Sequence, residues 1–170
     1  MKYFLLFWTF FLIPFLVHSQ TKIVETQHPD ALANHNQRKI IRDPGGNIFI
    51  SYVDFDSVSN PVIKGILYER NKDLWNEPVL LGKGTQPTLA LSKEDVVHLI
   101  YVSEGSAGEI THSCSKDLIS WSQPKTISEP GMEAYLPVAD TDASGRVNLL
   151  WLEKEADKTA LMYASFINET

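Results

Sequence analysis

The residues of this 170-residue chain that could do chemistry are carboxylates and amides with a few basic and aromatic partners. His35, Asn36, Gln37 and Arg38 form the first cluster. Asp54 and Asp56 follow, then Gln86 and Glu104, then Glu133, Tyr135, Glu153 and Glu155. Carboxylates, a tyrosine and an arginine around one pocket would suit sugar recognition, or glycoside hydrolysis if two of the carboxyl groups flank the scissile bond. Each of these residues also sits in a segment that reads as loop or strand end, where polar side chains are ordinary because loops are wet.

Other chemistries find little support. No His/Cys cluster has zinc spacing. There is no glycine-rich phosphate loop and no G-x-S-x-G elbow. No cofactor or metal is therefore expected. Asp140-x-Asp142-x-x-Gly145 opens like a calcium loop, but Trp151 stands where the twelfth-position glutamate belongs. The aligned turns at Asp43–Gly46 and Ser92–Asp95 predict a plain hairpin turn there instead. The one cysteine, Cys114, cannot build an internal disulfide framework and is expected as a small buried hydrophobe in a strand.

The elements that must position these residues belong to a repeat. Gly46, Asp95 and Gly145 lie 49 and 50 residues apart, and six residues past each stands Tyr52, Tyr101 or Trp151. Pro87 and Pro137 precede the second and third of them by eight residues; Arg38 holds that place in the first copy. Lys72-Asp73-Leu74 matches Lys116-Asp117-Leu118, and Trp75-x-x-Pro78 matches Trp121-x-x-Pro124. By the same alignment His98 takes the place of Phe49 and Asn148, and His112 that of Tyr68 and Tyr163, so both are expected to pack. Each copy holds β-branched and aromatic runs divided by turn residues, and no window carries a sustained helical period.

The complete copy predicts strands at Pro87–Leu91, Val96–Val102, Glu109–Cys114 and Trp121–Ile127. The first copy predicts Asn47–Val53, Val62–Arg70 and Trp75–Leu81. Four short strands in about 45–50 residues mark propeller blades. A sandwich of about eleven strands needs no repeat. The expected fold is all-β and propeller-like, with four-stranded antiparallel blades at about 38–84, 85–131 and 132–170, the last one short. A polar segment, 20–37, precedes them, with Thr21–Glu25 as its strand candidate. In such meanders alternate loops share an end. The loop residues named first fall at one end, and the turns at Gly46, Asp95 and Gly145 at the other.

Ser115-Lys116-Asp117-Leu118-Ile119-Ser120-Trp121 resembles a degenerate Asp-box, the S-x-D-x-G-x-T-W turn of the sialidase-like, BNR-repeat propellers. Ile119 holds the glycine place and Trp121 comes one residue early. Asn71–Trp75 is a shorter version, and the third copy has Asn168 at the aspartate place. The resemblance runs from Arg38 to Asn168 and implies a six-bladed propeller, of which about three blades are present. It makes Asp73, Trp75, Ser115, Asp117 and Trp121 structural, with each tryptophan buried against its own blade. It also places ligands at the end that carries His35, Asn36, Arg38, Asp54, Asp56, Gln86, Glu104, Glu133, Tyr135 and Glu153. Sialidases use an arginine triad, a Tyr–Glu pair and an aspartate. Gln37-Arg38-Lys39-Ile40 is only similar to the first arginine's motif, so the resemblance does not supply a complete catalytic set.

Lys2 followed by the apolar run Tyr3–Val17, with Val17 and Ser19 at −3 and −1 of a cut before Gln20, has the layout of a secretory signal peptide. The run is shorter than the ~20 apolar residues of a spanning helix and contains Pro14. A secreted product without stable membrane insertion is expected. Without Lys2 the remainder carries 14 basic and 21 acidic residues, net −7, which offers no footprint for nucleic acid. Three functions remain open on the residues: recognition of a glycan or surface polymer, a partial glycoside hydrolase, and a structural protein-binding propeller. Exposed blade edges would also favour self-association.

Overall fold

A computed structural model describes residues 21–105 and 108–167, the side chain of residue 155 excepted. Residues 1–19, expected from the sequence to be a signal peptide, and Asn168 lie outside the described residues. The described chain is all-β, and every strand pairing is antiparallel. Its strands are β1 (Ile40–Arg42), β2 (Ile48–Phe55), β3 (Pro61–Glu69), β4 (Leu74–Trp75), β5 (Val79–Leu91), β6 (Val97–Ser103), β7 (Ile110–Ser115), β8 (Lys125–Thr126), β9 (Glu133–Thr141), β10 (Val147–Glu155) and β11 (Lys158–Phe166). They form three successive meanders: β1 to the start of β5, the end of β5 to β8, and β9 to β11.

The turns follow from short side chains that replace backbone partners. The Asp43 carboxylate accepts the N–H of Asn47 at 2.8 Å, and its carbonyl accepts that of Gly46. Asp142 does the same for Ser144 and Arg146, and Ser92 for Val96. The Asp142 turn is therefore a hairpin turn closed by its own side chain, as its aligned partners predict.

Four expectations need correction. Thr21–Glu25 forms no strand. The fourth strand expected at Trp75–Leu81 is instead split. Tyr68↔Trp75 and Glu69↔Leu74 pair briefly, and Val79 then begins a 13-residue strand. That strand, β5, pairs with β3 through Val79–Lys83 and with β6 from Gly84 onward. Gly84 permits the transfer: its φ is +146°, and a Cβ there would lie 2.0 Å from the Val102 carbonyl oxygen. The strand expected over Trp121–Ile127 shrinks to Lys125–Thr126. Ser122 turns its hydroxyl back to the Cys114 N–H, and Pro124 has no N–H for a ladder. Cys114 itself is half-exposed rather than buried.

Two apolar layers lie between successive meanders. The first unites Ile41, Phe49, Ile63 and Leu81 with Leu89, Val97, Leu99, Tyr101 and Leu118. The second unites Ala90, Ile100, Val102 and Ile110 with Ala134, Ala139, Val147, Leu149 and Trp151. Strand β6 serves both, so its alternating side chains are buried on both faces. Each large side chain withdrawn here contributes about 1.5–3 kcal/mol. Trp121 is half-buried against the first layer, which includes Leu118 of its own meander, and its ring lies 5.7 Å from Phe49, so it also joins two meanders. Trp75 stays within its own meander, 5.3 Å from Tyr68.

Candidate functional site

The β2–β3 loop, the bend in β5, the β6–β7 loop and the β10–β11 hairpin come together at one end of the meanders. The segment before β1 folds onto the same end. Val53 donates to the Ala31 carbonyl, Glu104 to Lys83 and Ala134 to Gly108. Three depressions open there.

The first, about 720 Å³, is lined by Asp54, Asp56, Lys64, Thr26, Gln27 and neighbouring loop residues. Asp54 is buried and pairs with the Lys64 ammonium at 2.8 Å. It also accepts the Thr26 hydroxyl and the Gln27 N–H, each at 3.0 Å. Burial pushes the carboxyl up, but Lys64, the Gln27 and Phe55 N–H groups and Thr26 together outweigh it and hold it at about 2. Burial first, and then the Asp54 charge, pushes the adjacent Tyr52 phenol up to about 12. Asp56 is consumed by its own loop, accepting the N–H groups of Val58 and Asn60.

The second depression, about 240 Å³, is lined by His28, Asp30, Asn34, Lys39, Thr85 and Gln86 among others. Gln86 sits in the β5 bulge with φ +54°, and Leu136 repeats that conformation 50 residues later. Two non-glycine residues in the left-handed region cost energy that the surrounding ladders hold in place. The Gln86 side chain joins them by accepting the Leu136 N–H at 2.7 Å. Lys39 donates to Gln37 Oε1 and to the Pro87 carbonyl, and burial pulls its ammonium down to about 8.

The third depression, about 480 Å³, holds Glu133, Tyr135, Lys154, Lys158 and Thr159. Lys154 lies 3.2 Å from Glu133, and the Tyr135 hydroxyl lies 3.3 Å from that of Thr159.

Of the residues singled out in the sequence, Asp54, Asp56, Gln86, Glu133 and Tyr135 thus line the depressions. Five do not. Arg38 extends along the inner strands to Asp140, at 3.1 Å, close to the opposite turns. Glu153 is buried and accepts the Trp151 indole N–H at 2.8 Å, a structural duty. His35, Asn36 and Glu104 are exposed and line none of the three. The lysines were missed. A signal for Lys64 existed, since it interrupts an apolar run and its register partner is Tyr52, two residues from Asp54. Lys39 gave none, because the ladder of β1 begins only at Ile40.

The turn at the other end is built differently. Asp117 accepts the Ser115 hydroxyl and the N–H groups of Ile119 and Ser120, which hold its carboxyl well below the usual range. Ser115 accepts the Leu118 N–H, fixing Leu118 at φ +64° with its side chain buried in the first layer. Asp73 takes the Tyr68 hydroxyl at 2.6 Å.

No family model matches the chain, and no curated protein does. Solved structures do. A protein of unknown function from Dyadobacter fermentans aligns with a TM-score of 0.56 at 10% identity, over 77% of this chain and 41% of its own. An ulvan lyase of polysaccharide lyase family PL25 aligns at 0.52 and 12%, over 76% of this chain and 41% of its own. A leech intramolecular trans-sialidase complexed with 2,7-anhydro-Neu5Ac aligns at 0.51 and 12%, over 75% of this chain and 23% of its own. The two enzymes are propeller-type. The likeness is one of fold, and the chain spans less than half the length of each of these structures.

Proposed function

We propose that the chain is a secreted, sialidase-like propeller segment of about three blades whose loop end recognises a glycan or surface polymer. The observation that carries the reading is the set of three adjoining depressions at that end, each lined by charged groups, amides or hydroxyls. A sugar offers many hydroxyls and few apolar faces, and such a lining suits it. That two of the solved structures similar in fold are glycan-acting enzymes supports the same reading. Secretion rests on the layout of residues 1–19. A glycan array probed with the purified protein tests the proposal: signals lowered by Asp54→Ala and Tyr135→Phe are expected. An array silent for a folded protein removes it.

A second reading makes the chain part of a glycan-cleaving enzyme. The aligned part of the chain covers 41% of the ulvan lyase and 23% of the trans-sialidase, and the carboxylate and tyrosine of the third depression are groups such chemistry uses. Cleavage of a fluorogenic sialoside or an acidic polysaccharide, lost on Glu133→Gln, would establish it. A folded protein that binds without turnover would leave the first reading in place.

A further inference from the structure

The three depressions differ in charge balance. In the first and third, a lysine lies within 3.2 Å of a carboxylate, Lys64 with Asp54 and Lys154 with Glu133. In the second, the half-buried Lys39 has no carboxylate within 4 Å among the described residues. An ammonium carries three N–H donors, and Lys39 spends two, on Gln37 Oε1 at 2.7 Å and the Pro87 carbonyl at 2.5 Å.

The other groups of this pocket are also left as donors. His28 Nδ1 accepts the Asp30 N–H, so the neutral ring carries its proton on Nε2. Gln86 Oε1 accepts the Leu136 N–H, so its remaining polar group is the NH2. The Asn34 amide and the Thr85 hydroxyl add further N–H and O–H groups, against the single carboxylate of Asp30. A desolvated cation ringed by donors is completed by an anion, because charge-assisted hydrogen bonds are the strong ones. A neutral sugar ring would leave the charge unmatched.

We infer that the Lys39 pocket seats one acid group of an acidic polysaccharide, with Gln86 and His28 as supporting donors. The inference rests on the proposed glycan-binding role of this end and narrows its ligand to anionic chains. Attraction by the molecule as a whole does not explain such binding, since the chain is net acidic. The site must therefore supply it locally. Its affinity also depends on the protonation of one amine. With the ammonium at about 8, binding is full below that pH and is lost as the amine deprotonates above it.

Affinity electrophoresis of the full chain in gels containing polygalacturonate, dextran sulfate or neutral dextran, at about 0.15 M salt, reads the proposal directly. Retardation is expected in an acidic polymer and not in dextran, and the first two gels separate carboxylate from sulfate as the recognised group. Apparent affinity should fall about tenfold between pH 7 and pH 9, as one proton leaves a group near pH 8. Lys39→Met should weaken binding at least tenfold at pH 7, with its melting temperature measured alongside. Lys39→Arg should bind with no fall between pH 7 and pH 9, because a guanidinium does not titrate there. Equal retardation of wild type and a folded Lys39→Met, or a flat pH profile in the wild type, overturns the inference. Retardation by dextran that Lys39→Met leaves unchanged would sink the acid site and keep the glycan reading. No retardation in any gel would remove both.

Discussion

The two layers that hold the meanders together are built from different materials. The first layer, between the β2 and β6 sheets, is aliphatic and aromatic, with the Tyr101 hydroxyl at its edge, and is centred on Phe49, Ile63, Leu89 and Leu99, all at most 1% exposed. It is so close that a Cβ on Gly65 would come within 2.4 Å of the Phe49 ring. The second layer, between the β6 and β10 sheets, adds a pair of imidazoles to its aliphatic side chains. His98 is fully buried, stacks on His112 at 5.2 Å and shares a hydrogen bond of 2.9 Å with it. Phe166 of β11 covers both rings, at 5.8 and 4.8 Å. The contrast teaches that one repeat can dock by dispersion alone while the next docks through groups whose charge depends on pH.

The largest effect that tests this contrast is the loss of Phe49. Phe49→Ala should cost about 3–5 kcal/mol, the transfer term plus the cavity left in a layer that cannot collapse. Chemical denaturation at pH 7 measures it. The cost should be nearly the same at pH 5, since the one titratable side chain in that cluster, the Tyr101 phenol, is pushed up by burial and stays neutral at both values. A cost below about 1 kcal/mol would mean that the first layer is not a packed core.

The second layer should respond to acid. Burial first, then the charges of His98 and Lys125, lowers the His112 imidazole from 6.5 to about 4. The unfolded chain therefore holds an extra proton between those values. Stability is full above pH 6.5 and declines as the pH falls to about 4, by roughly 3 kcal/mol in all. Asp54 acts in a lower window. Its carboxyl is held down, so its contribution persists above the unfolded value of 3.8 and is lost as the pH falls towards 2. The double substitution His98→Phe with His112→Tyr, which copies the first repeat, should flatten the slope between pH 6.5 and 4 and leave the lower one. Equal slopes in both proteins would disprove a titrating second layer.

This difference explains what could be read from the sequence. The middle strands β2, β6 and β10 were legible because their apolar runs are bounded by Asp, Ser and Gly turns whose side chains close themselves. The direction in which a side chain packs was not. His98 and His112 were legible as packing residues, but nothing local shows that they meet, since 14 positions separate them and only the β6–β7 register joins them. The course of β5 was hidden because Gly84 and Gln86 look like loop residues, and their unusual φ values exist only where two sheets meet. At the loop end, acidic side chains were legible as polar punctuation. Lys39 was not, and Lys64 was marked only by its break in an apolar run, because a lysine beside or within a strand declares its partner only in three dimensions.

The two tryptophans beside the Asp-box-like turns give the finest version of the comparison. Their sequence register is shared, so a purely local role would make their removal equally costly. The structure separates them. Trp121 is half-buried against the first layer and reaches Phe49 of the preceding meander, while Trp75 touches Tyr68 of its own. Trp121→Ala should then cost about 2–3 kcal/mol, below the range for a fully buried aromatic. Trp75→Ala should cost about 1 kcal/mol or less, the value of an aromatic pair at a partly wet edge. In the Phe49→Ala background the Trp121 cost should shrink, because contacting residues are not additive. The Trp75 cost should stay as it was. A double-mutant cycle by urea denaturation measures all four values. Full additivity of Phe49 and Trp121 would mean that the tryptophan serves only its own turn.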